Sequence, residues 1–210
     1  AFDNADGNLS GSIVMDGIVD VGVPGVHSLV YSVSDQAGNP ASPLTRLVAV
    51  GDTTPPLVTL HGDANATHEA GTPYLDPKAT AFDSLNGDLT PDIVIGGDEV
   101  NASTPGSYHI VYEATDKAGN LGQAVRFVTV RDTLPPVLTL LGPAALSLEA
   151  GIPFADPGAT ALDSLDGDLS SNIVKGGDVL DEDIEGVYVL TYSVSDQAGN
   201  AAQRLTREIT

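Results

Sequence analysis

The chain has 210 residues, of which 29 are Asp or Glu and only 8 are Lys or Arg, giving a formal net charge of −21. That balance excludes nucleic acid and anionic membranes as partners, because both select a basic face. The absence of Cys excludes a disulfide framework, a thiolate metal site and a Cys nucleophile together.

In chain order, three phrases recur at a period of about 80 residues. Ala1–Leu9 returns as Ala81–Leu89 and Ala161–Leu169, each carrying Asp, then Asn or Asp, then Gly. Tyr31–Asn39 (Tyr-Ser-Val-Ser-Asp-Gln-Ala-Gly-Asn) returns unchanged at Tyr192–Asn200 and in altered form at Tyr112–Asn120. Asp-Thr-Xaa-Pro-Pro opens at Asp52 and again at Asp132. A period of this size matches an autonomous domain rather than a solenoid unit. The reading is therefore two complete repeats, 52–131 and 132–210, after a partial repeat at 1–51 that lacks its first strands. Both ends are expected to be cuts in a longer protein. The partial repeat is expected to expose an open edge and an uncovered apolar face, to be completed by preceding residues or by homotypic assembly.

Within one repeat, Leu57–His61 and Ala79–Phe82 read as the first two strands, with Ala70–Pro73 turning between them. Pro91–Ile95 reads as a third strand, which Asp98–Ser103 continues or follows with a short strand. The clearest strand spans 107–116, where Tyr108, Ile110, Tyr112 and Ala114 alternate with Ser107, His109, Val111 and Glu113. Alternation with one mostly apolar face marks a half-buried strand. The Asp-Xaa-Ala-Gly-Asn turn then leads into a final strand, Gln123–Val130. No window keeps helical periodicity with caps, so no helix is expected. The result is all-β: tandem immunoglobulin-like β-sandwich domains strung like beads, with Gly-Xaa-Tyr resembling the tyrosine corner of that fold.

Counting strand directions places the entry and exit of each repeat at opposite ends. The loop after the second strand and the hairpin turn then converge on the linker. The residues expected to gather are Asp52, Asp83, Asn86, Asp88 and Asp116 at the first joint, and Asp132, Asp163, Asp166, Asp168 and Asp196 at the second. Carboxylates crowded without Lys or Arg need a cation. Ca²⁺ is the expected one, being a hard ion that accepts six to eight oxygens from irregular loops, whereas Zn²⁺ would want His or Cys. Glu69 and Glu149, in Glu-Ala-Gly, could reach the next joint from the far end of the repeat, but solvated surface acids are the favoured reading. The plain alternative is that all these acids only form Asx turns.

Other chemistry is poorly represented. His27, His61, His68 and His109 fall out of register, so neither a His triad nor a zinc site is repeated. No nucleophile elbow, zincin motif or phosphate loop occurs, and Trp is absent. Paired prolines stiffen each linker in an extended conformation.

The ordered run Asp-Thr-Xaa-Pro-Pro, Glu-Ala-Gly, Asp-Pro, Ala-Thr-Ala-Xaa-Asp, Gly-Asp-Leu, Gly-Xaa-Tyr and Asp-Xaa-Ala-Gly-Asn resembles bacterial Ig-like surface repeats. Related modules occur in hyalin-repeat proteins, insecticidal crystal toxins and giant adhesins. The joints also resemble cadherin junctions, where linker and loop acids share Ca²⁺. That resemblance implies ligands at Asp52, Asp83, Asp88 and Asp116, and at Asp132, Asp163, Asp168 and Asp196. Asn8 replaces the last loop acid in the first copy, whose site is expected to be weaker or empty. The resulting expectation is a non-enzymatic extracellular spacer of a bacterial surface adhesin, stalk or filament. It would be rigidified by calcium, with neighbouring repeats as partners and no membrane insertion. The alternatives are accessory modules of a secreted hydrolase or toxin, or a module that itself binds glycan or protein.

Overall fold

The computed structural model describes residues 1–210, and strands joined by tight turns dominate it. Residues 1–51 carry β1 (Phe2–Asp3), β2 (Gly7–Asn8), β3 (Val14–Asp16), β4 (Gly25–Ser32) and β5 (Leu44–Val50). The middle repeat carries β6 (Leu57–Leu60), β7 (Asn65–Glu69), β8 (Ala79–Asp83), β9 (Gly87–Asp88), β10 (Val94–Gly97), β11 (Gly106–Thr115) and β12 (Leu121–Arg131). The last carries β13 (Val137–Leu140), β14 (Ala145–Leu146), β15 (Ala159–Asp163), β16 (Gly167–Asp168), β17 (Val174–Gly177), β18 (Tyr188–Ser193) and β19 (Leu205–Ile209).

Each repeat builds two sheets, in the orders β6-β8-β9 and β10-β11-β12-β7, then β13-β15-β16 and β14-β19-β18-β17. In residues 1–51 the sheets are β1-β2 and β3-β4-β5, with β5 left at an edge. By contacts the chain groups into two compact units. One is Ala1–Thr59 with Thr80–Val94 and Glu113–Gln123; the other is Leu60–Ala79 with Ile95–Tyr112 and Ala124–Thr210.

Three local expectations need correction. The segment after β6 is a strand rather than a plain approach to a turn: β7 runs parallel to β12, from Phe127↔Asn65 to Arg131↔Glu69. The first strand is thus split between sheets. Gly62, at φ 73°, sits at the break, and Gly142, at φ 80°, repeats it. Only a residue without Cβ adopts that conformation cheaply. Second, Pro91–Ile95 does not begin as a strand. A 3₁₀ turn occupies Thr90–Asp92, and its copies occupy Ser10–Ser12 and Ser170–Asn172. The preceding Asx residue starts each turn: Asp88 Oδ1 accepts from Thr90 N, Asp168 Oδ1 from Ser170 N and Asn8 Oδ1 from Ser10 N. Third, Asp98–Ser103 forms no strand. These 3₁₀ turns are the only helical elements, and no helix is long and apolar enough to cross a membrane.

The predicted alternation holds in β11. Ile110, Tyr112 and Ala114 are buried while Ser107 and His109 are exposed. Tyr112 and Tyr192 both have 0% exposure. Tyr108 Oη donates to Thr104 O at 2.8 Å, and Tyr188 Oη to Ile184 O at 3.0 Å, four residues upstream in each case. That is the tyrosine corner of an immunoglobulin-like sandwich.

The apolar core is small. In the last repeat it consists of Ala161, Leu169, Val194 and Ala202, with Leu138 and Ile173 packed beside them. A buried polar knot supplements it. Arg126, 1% exposed, donates from Nη2 to His61 O (2.6 Å) and Lys78 O (3.2 Å) and from Nη1 to Asp63 O (2.7 Å). Arg207, 0% exposed, donates to Leu141 O (2.5 Å), Gly158 O (3.3 Å) and Pro143 O (3.1 Å). Where the first strand leaves one sheet for the other, its carbonyls lose their ladder partners, and the guanidinium takes them. Asp76 pairs with Arg126 and Asp156 with Arg207, so each buried charge has a counter-ion.

Candidate metal centres at the acidic linkers

The loop after β8 is folded by one oxygen of Asp83. Oδ1 accepts from Leu85 N (2.9 Å), Asn86 N (2.7 Å) and Asn86 Nδ2 (3.0 Å). The same turn recurs after β15, where Asp163 Oδ1 accepts from Leu165 N (2.8 Å) and Asp166 N (2.9 Å). Short polar side chains that bond their own backbone two and three residues ahead make such turns rigid. Each of these acids is then left with its second oxygen, Oδ2, buried and without a hydrogen-bond partner.

The linker acids close the clusters. Asp52 Oδ1 accepts from Thr54 N at 3.2 Å and leaves Oδ2 buried and unpartnered, while Asp132 leaves both oxygens so. Carboxylate oxygens of Asp52, Asp83 and Asp116 lie within 4.8 Å of one another, as do those of Asp132, Asp163 and Asp166. A hairpin turn supplies the third acid at the first linker and flanks the cluster at the second. Asp116 Oδ1 accepts from Asn120 N (2.8 Å) and Oδ2 from Asn120 Nδ2 (2.7 Å), and Asn200 makes the same pair of bonds to Asp196. Asn120 Nδ2 also reaches Asp52 O at 3.3 Å, as Asn200 Nδ2 reaches Asp132 O at 3.3 Å. One asparagine thus ties each turn to its linker.

Of the expected ligands, the structure gathers Asp52, Asp83 and Asp116 at one linker and Asp132, Asp163 and Asp166 at the other. Asp196 is buried beside the second group and adds its charge there. Asn86 directs its amide at Asp83. Asp88 and Asp168 stand apart, since each uses its Oδ1 to start a 3₁₀ turn. Asp166 also anchors the hairpin turn, accepting from Gln197 N (2.7 Å) and Nε2 (2.9 Å).

The electrostatics divide accordingly. Asp83 is held below the usual carboxylate range by the Asn86 backbone N–H and then its side chain. For Asp116, burial alone would raise the carboxyl, but hydrogen bonds from Asn120 override it and lower it. Asp132 has no such donor. Burial first, then the charges of Asp196, Asp163, Asp166 and Glu69, push it up. A carboxylate in that position is stabilised by a cation or by a proton. The donor set is all oxygen, without His or Cys, which matches Ca²⁺ rather than Zn²⁺.

Sequence reasoning ranked one contributor's role second and missed another. Glu69, read as solvated, accepts from Thr133 N (2.8 Å), Thr133 Oγ1 (2.5 Å) and Leu134 N (3.2 Å), which lowers its carboxyl below the ordinary range. Its recurrence as Glu149 in Glu-Ala-Gly was the available signal. The Arg–Tyr–Asp knot was missed, and its one signal was that Arg46, Arg126 and Arg207 each follow the Ala-Gly-Asn turn by six or seven residues.

Two-sheet sandwiches with a split first strand and a tyrosine corner, joined by short acidic linkers, define tandem immunoglobulin-like repeats. The chain belongs to the bacterial surface protein Ig-like domain family, which it matches over residues 58–130 and 138–210. It is similar to an uncharacterised 81.3 kDa protein of Acholeplasma phage L2, with 29% identity over 95% of this chain and 28% of that protein. It is also similar to hyalin of Strongylocentrotus purpuratus, with 31% identity over 85% of this chain and 15% of that protein. The chain therefore spans less than a third of either relative. Among solved structures, the protocadherin GammaB4 extracellular domain aligns over 91% of this chain and 38% of its own, at 11% identity and a TM-score of 0.36.

Proposed function

We propose that the chain is a non-catalytic, extracellular structural array of a bacterial surface adhesin, stalk or filament, in which each linker is stiffened by a bound divalent cation, Ca²⁺. The family and the similarity to hyalin support a surface role for the repeat. The observation that carries the cation is the set of buried carboxylate oxygens with no hydrogen-bond partner, on Asp52 and Asp83 at one linker and Asp132 and Asp163 at the other. Burying such an atom unpaired costs on the order of 1–3 kcal/mol, more for a charge, and the carboxylates of each cluster bring oxygen atoms within 4.8 Å of one another. A divalent ion removes both the repulsion and the missing coordination. Asp52, Asp83 and Asp116 would hold one, and Asp132, Asp163 and Asp166, with Asp196 beside them, the other. The ion would supply only charge and coordination; the chain's own part is to present preorganised oxygens and to fasten the linker through Asn120 and Asn200.

Calcium titration followed by thermal melting, with and without chelator, tests this reading. Melting that rises with calcium and falls on chelation is expected. Melting indifferent to millimolar calcium would leave the acids as turn formers.

A further inference from the structure

A cavity of about 370 Å³ opens beside the Glu149–Gly151 turn of the last repeat, lined by Leu148, Glu149, Ile152, Ile184, Tyr188 and Ile209. The chain holds a second version of this surface, eighty residues earlier, in a different state. At Glu69–Gly71 the same platform is built: Gly71 N donates to Ala102 O at 2.9 Å as Gly151 N donates to Glu182 O at 2.7 Å, with φ of 76° and 80°. There the platform is covered. The Glu69 carboxylate grips Thr133 and Leu134 of the following linker, and an added Cβ on Gly71 would meet Ser164 O at 2.6 Å. Ala70 is 0% exposed. At the later position Glu149 and Ala150 are exposed, and a Cβ on Gly151 would meet nothing within 4 Å.

We propose that the Glu149 surface is a preformed seat for the opening segment of a further repeat of this kind. Its Thr-Xaa-Pro-Pro linker would give two backbone N–H groups and a hydroxyl to Glu149, and its Asp-Ser-Leu loop would close over Gly151. The partner's chemistry follows from what is free. Glu182 Oε1 is already engaged by Phe154 N at 2.8 Å. Glu149 remains as a carboxylate acceptor at a mouth that Asp181, Glu182 and Glu185 share with Leu148, Ile152 and Ile184, which suits an occupant bringing N–H and O–H donors on an extended, apolar-flanked segment. Linker residues 133–136 have that character. The seat does not depend on the cation reading, since Glu69 holds its linker by hydrogen bonds alone.

The test extends the full chain at Thr210 by a second copy of residues 130–210 and follows amide hydrogen exchange in chelator, with and without Glu149→Ala. The added Thr and Leu amides, equivalent to Thr133 and Leu134, should exchange roughly tenfold or more slower in the parent extension than in the variant. The unextended chain should melt at the same temperature with and without the substitution, because its exposed Glu149 carboxylate makes no hydrogen bond or ion pair. Equal exchange in both extended chains overturns the proposal. So does concentration-dependent self-association of the unextended chain that Glu149→Ala abolishes, since the seat would then serve a second molecule rather than a following repeat.

Discussion

Tyr192 Oη donates to Asp156 Oδ1 at 2.6 Å, and Tyr112 Oη makes the identical bond to Asp76 Oδ1 at 2.6 Å. In each repeat this bond closes over a buried arginine, whose guanidinium lies 5.6 Å from the Tyr192 ring in one case and 6.0 Å from the Tyr112 ring in the other. The most repeated tyrosine of the sequence is therefore both an apolar core residue and the donor that orients the arginine's counter-ion.

Removing that ring should be severe. Burial of a Tyr side chain contributes roughly 2–3 kcal/mol of apolar transfer, and Tyr192→Ala also strips Asp156 and Arg207 of a partner. We expect the last repeat to unfold or melt far earlier, by calorimetry, while Tyr192→Phe gives an intermediate loss. Arg207→Ala should cost toward the lower end of about 3–5 kcal/mol, because it takes the buried counter-ion from Asp156, which keeps only Tyr192, Lys175 and Gly158 N, and the donor from the carbonyls of Leu141 and Pro143.

The same knot sets two limits in pH. For Asp156, burial would raise the carboxyl, but the Tyr192 hydroxyl and then Lys175 override it and bring it from 3.8 to about 2. A lowered carboxyl stabilises above its unfolded value, and that contribution is lost as pH falls from 3.8 through about 2. Burial and then the Asp156 bond push Tyr192 from 10.0 to about 12, so its contribution is complete below pH 10 and disappears as pH rises through about 12. Denaturant melts across pH should show both limbs, and Tyr192→Phe should remove the last repeat's share of the alkaline one, leaving that of Tyr112, which burial likewise pushes up to about 12, and shrink the acid one. In a spectrophotometric titration, Tyr112 and Tyr192 should be the last to ionise.

Calcium at one hundred times its dissociation constant should add about 2.7 kcal/mol to each site it occupies. Asp116→Asn should weaken the Asp52 site and leave the Asp132 site intact, since the two clusters share no residue. A calorimetric titration reading one lost site and one retained site checks this; loss of both would show that the clusters act as one.

Glu69→Ala should loosen the second linker without unfolding either repeat. Its carboxylate makes three bonds, all to Thr133 and Leu134, and charged acceptors are worth roughly 1.5–3 kcal/mol each at most. Faster exchange at the Thr133 and Leu134 amides, with the amide of Val128 unchanged, is the expected pattern.

Gly71→Ala should be worse than its small size implies. It puts a side chain at φ 76° and drives a Cβ toward Ser164 O. The equivalent change at Gly151 meets open space, so only the backbone strain should register there. Comparing the two melting curves isolates the contact from the strain.

Repetition, alternation and turn chemistry were enough to read the all-β class, the period and the buried face of the Tyr112 strand, because these are local patterns with a fixed geometric meaning. The Asp–Gly loop, the hairpin Asp and the linker Asp were also visible as repeated letters, and counting strand directions brought them to one end. Sequence could not say which acids turn inward. Asp88 and Asp83 sit in the same short phrase, yet Asp88 starts a 3₁₀ turn in solvent while Asp83 is buried with one oxygen orphaned. That choice depends on the loop's path over β9, a matter of three-dimensional packing. Nor could it say that Glu69 would find Thr133, sixty-four residues away, or that Arg126 would be buried to satisfy carbonyls released by a split strand. Hydrogen bonds between distant segments leave no periodicity, since each partner alone looks like an ordinary polar residue. Tertiary structure alone decides which of them is left with no water and no alternative partner.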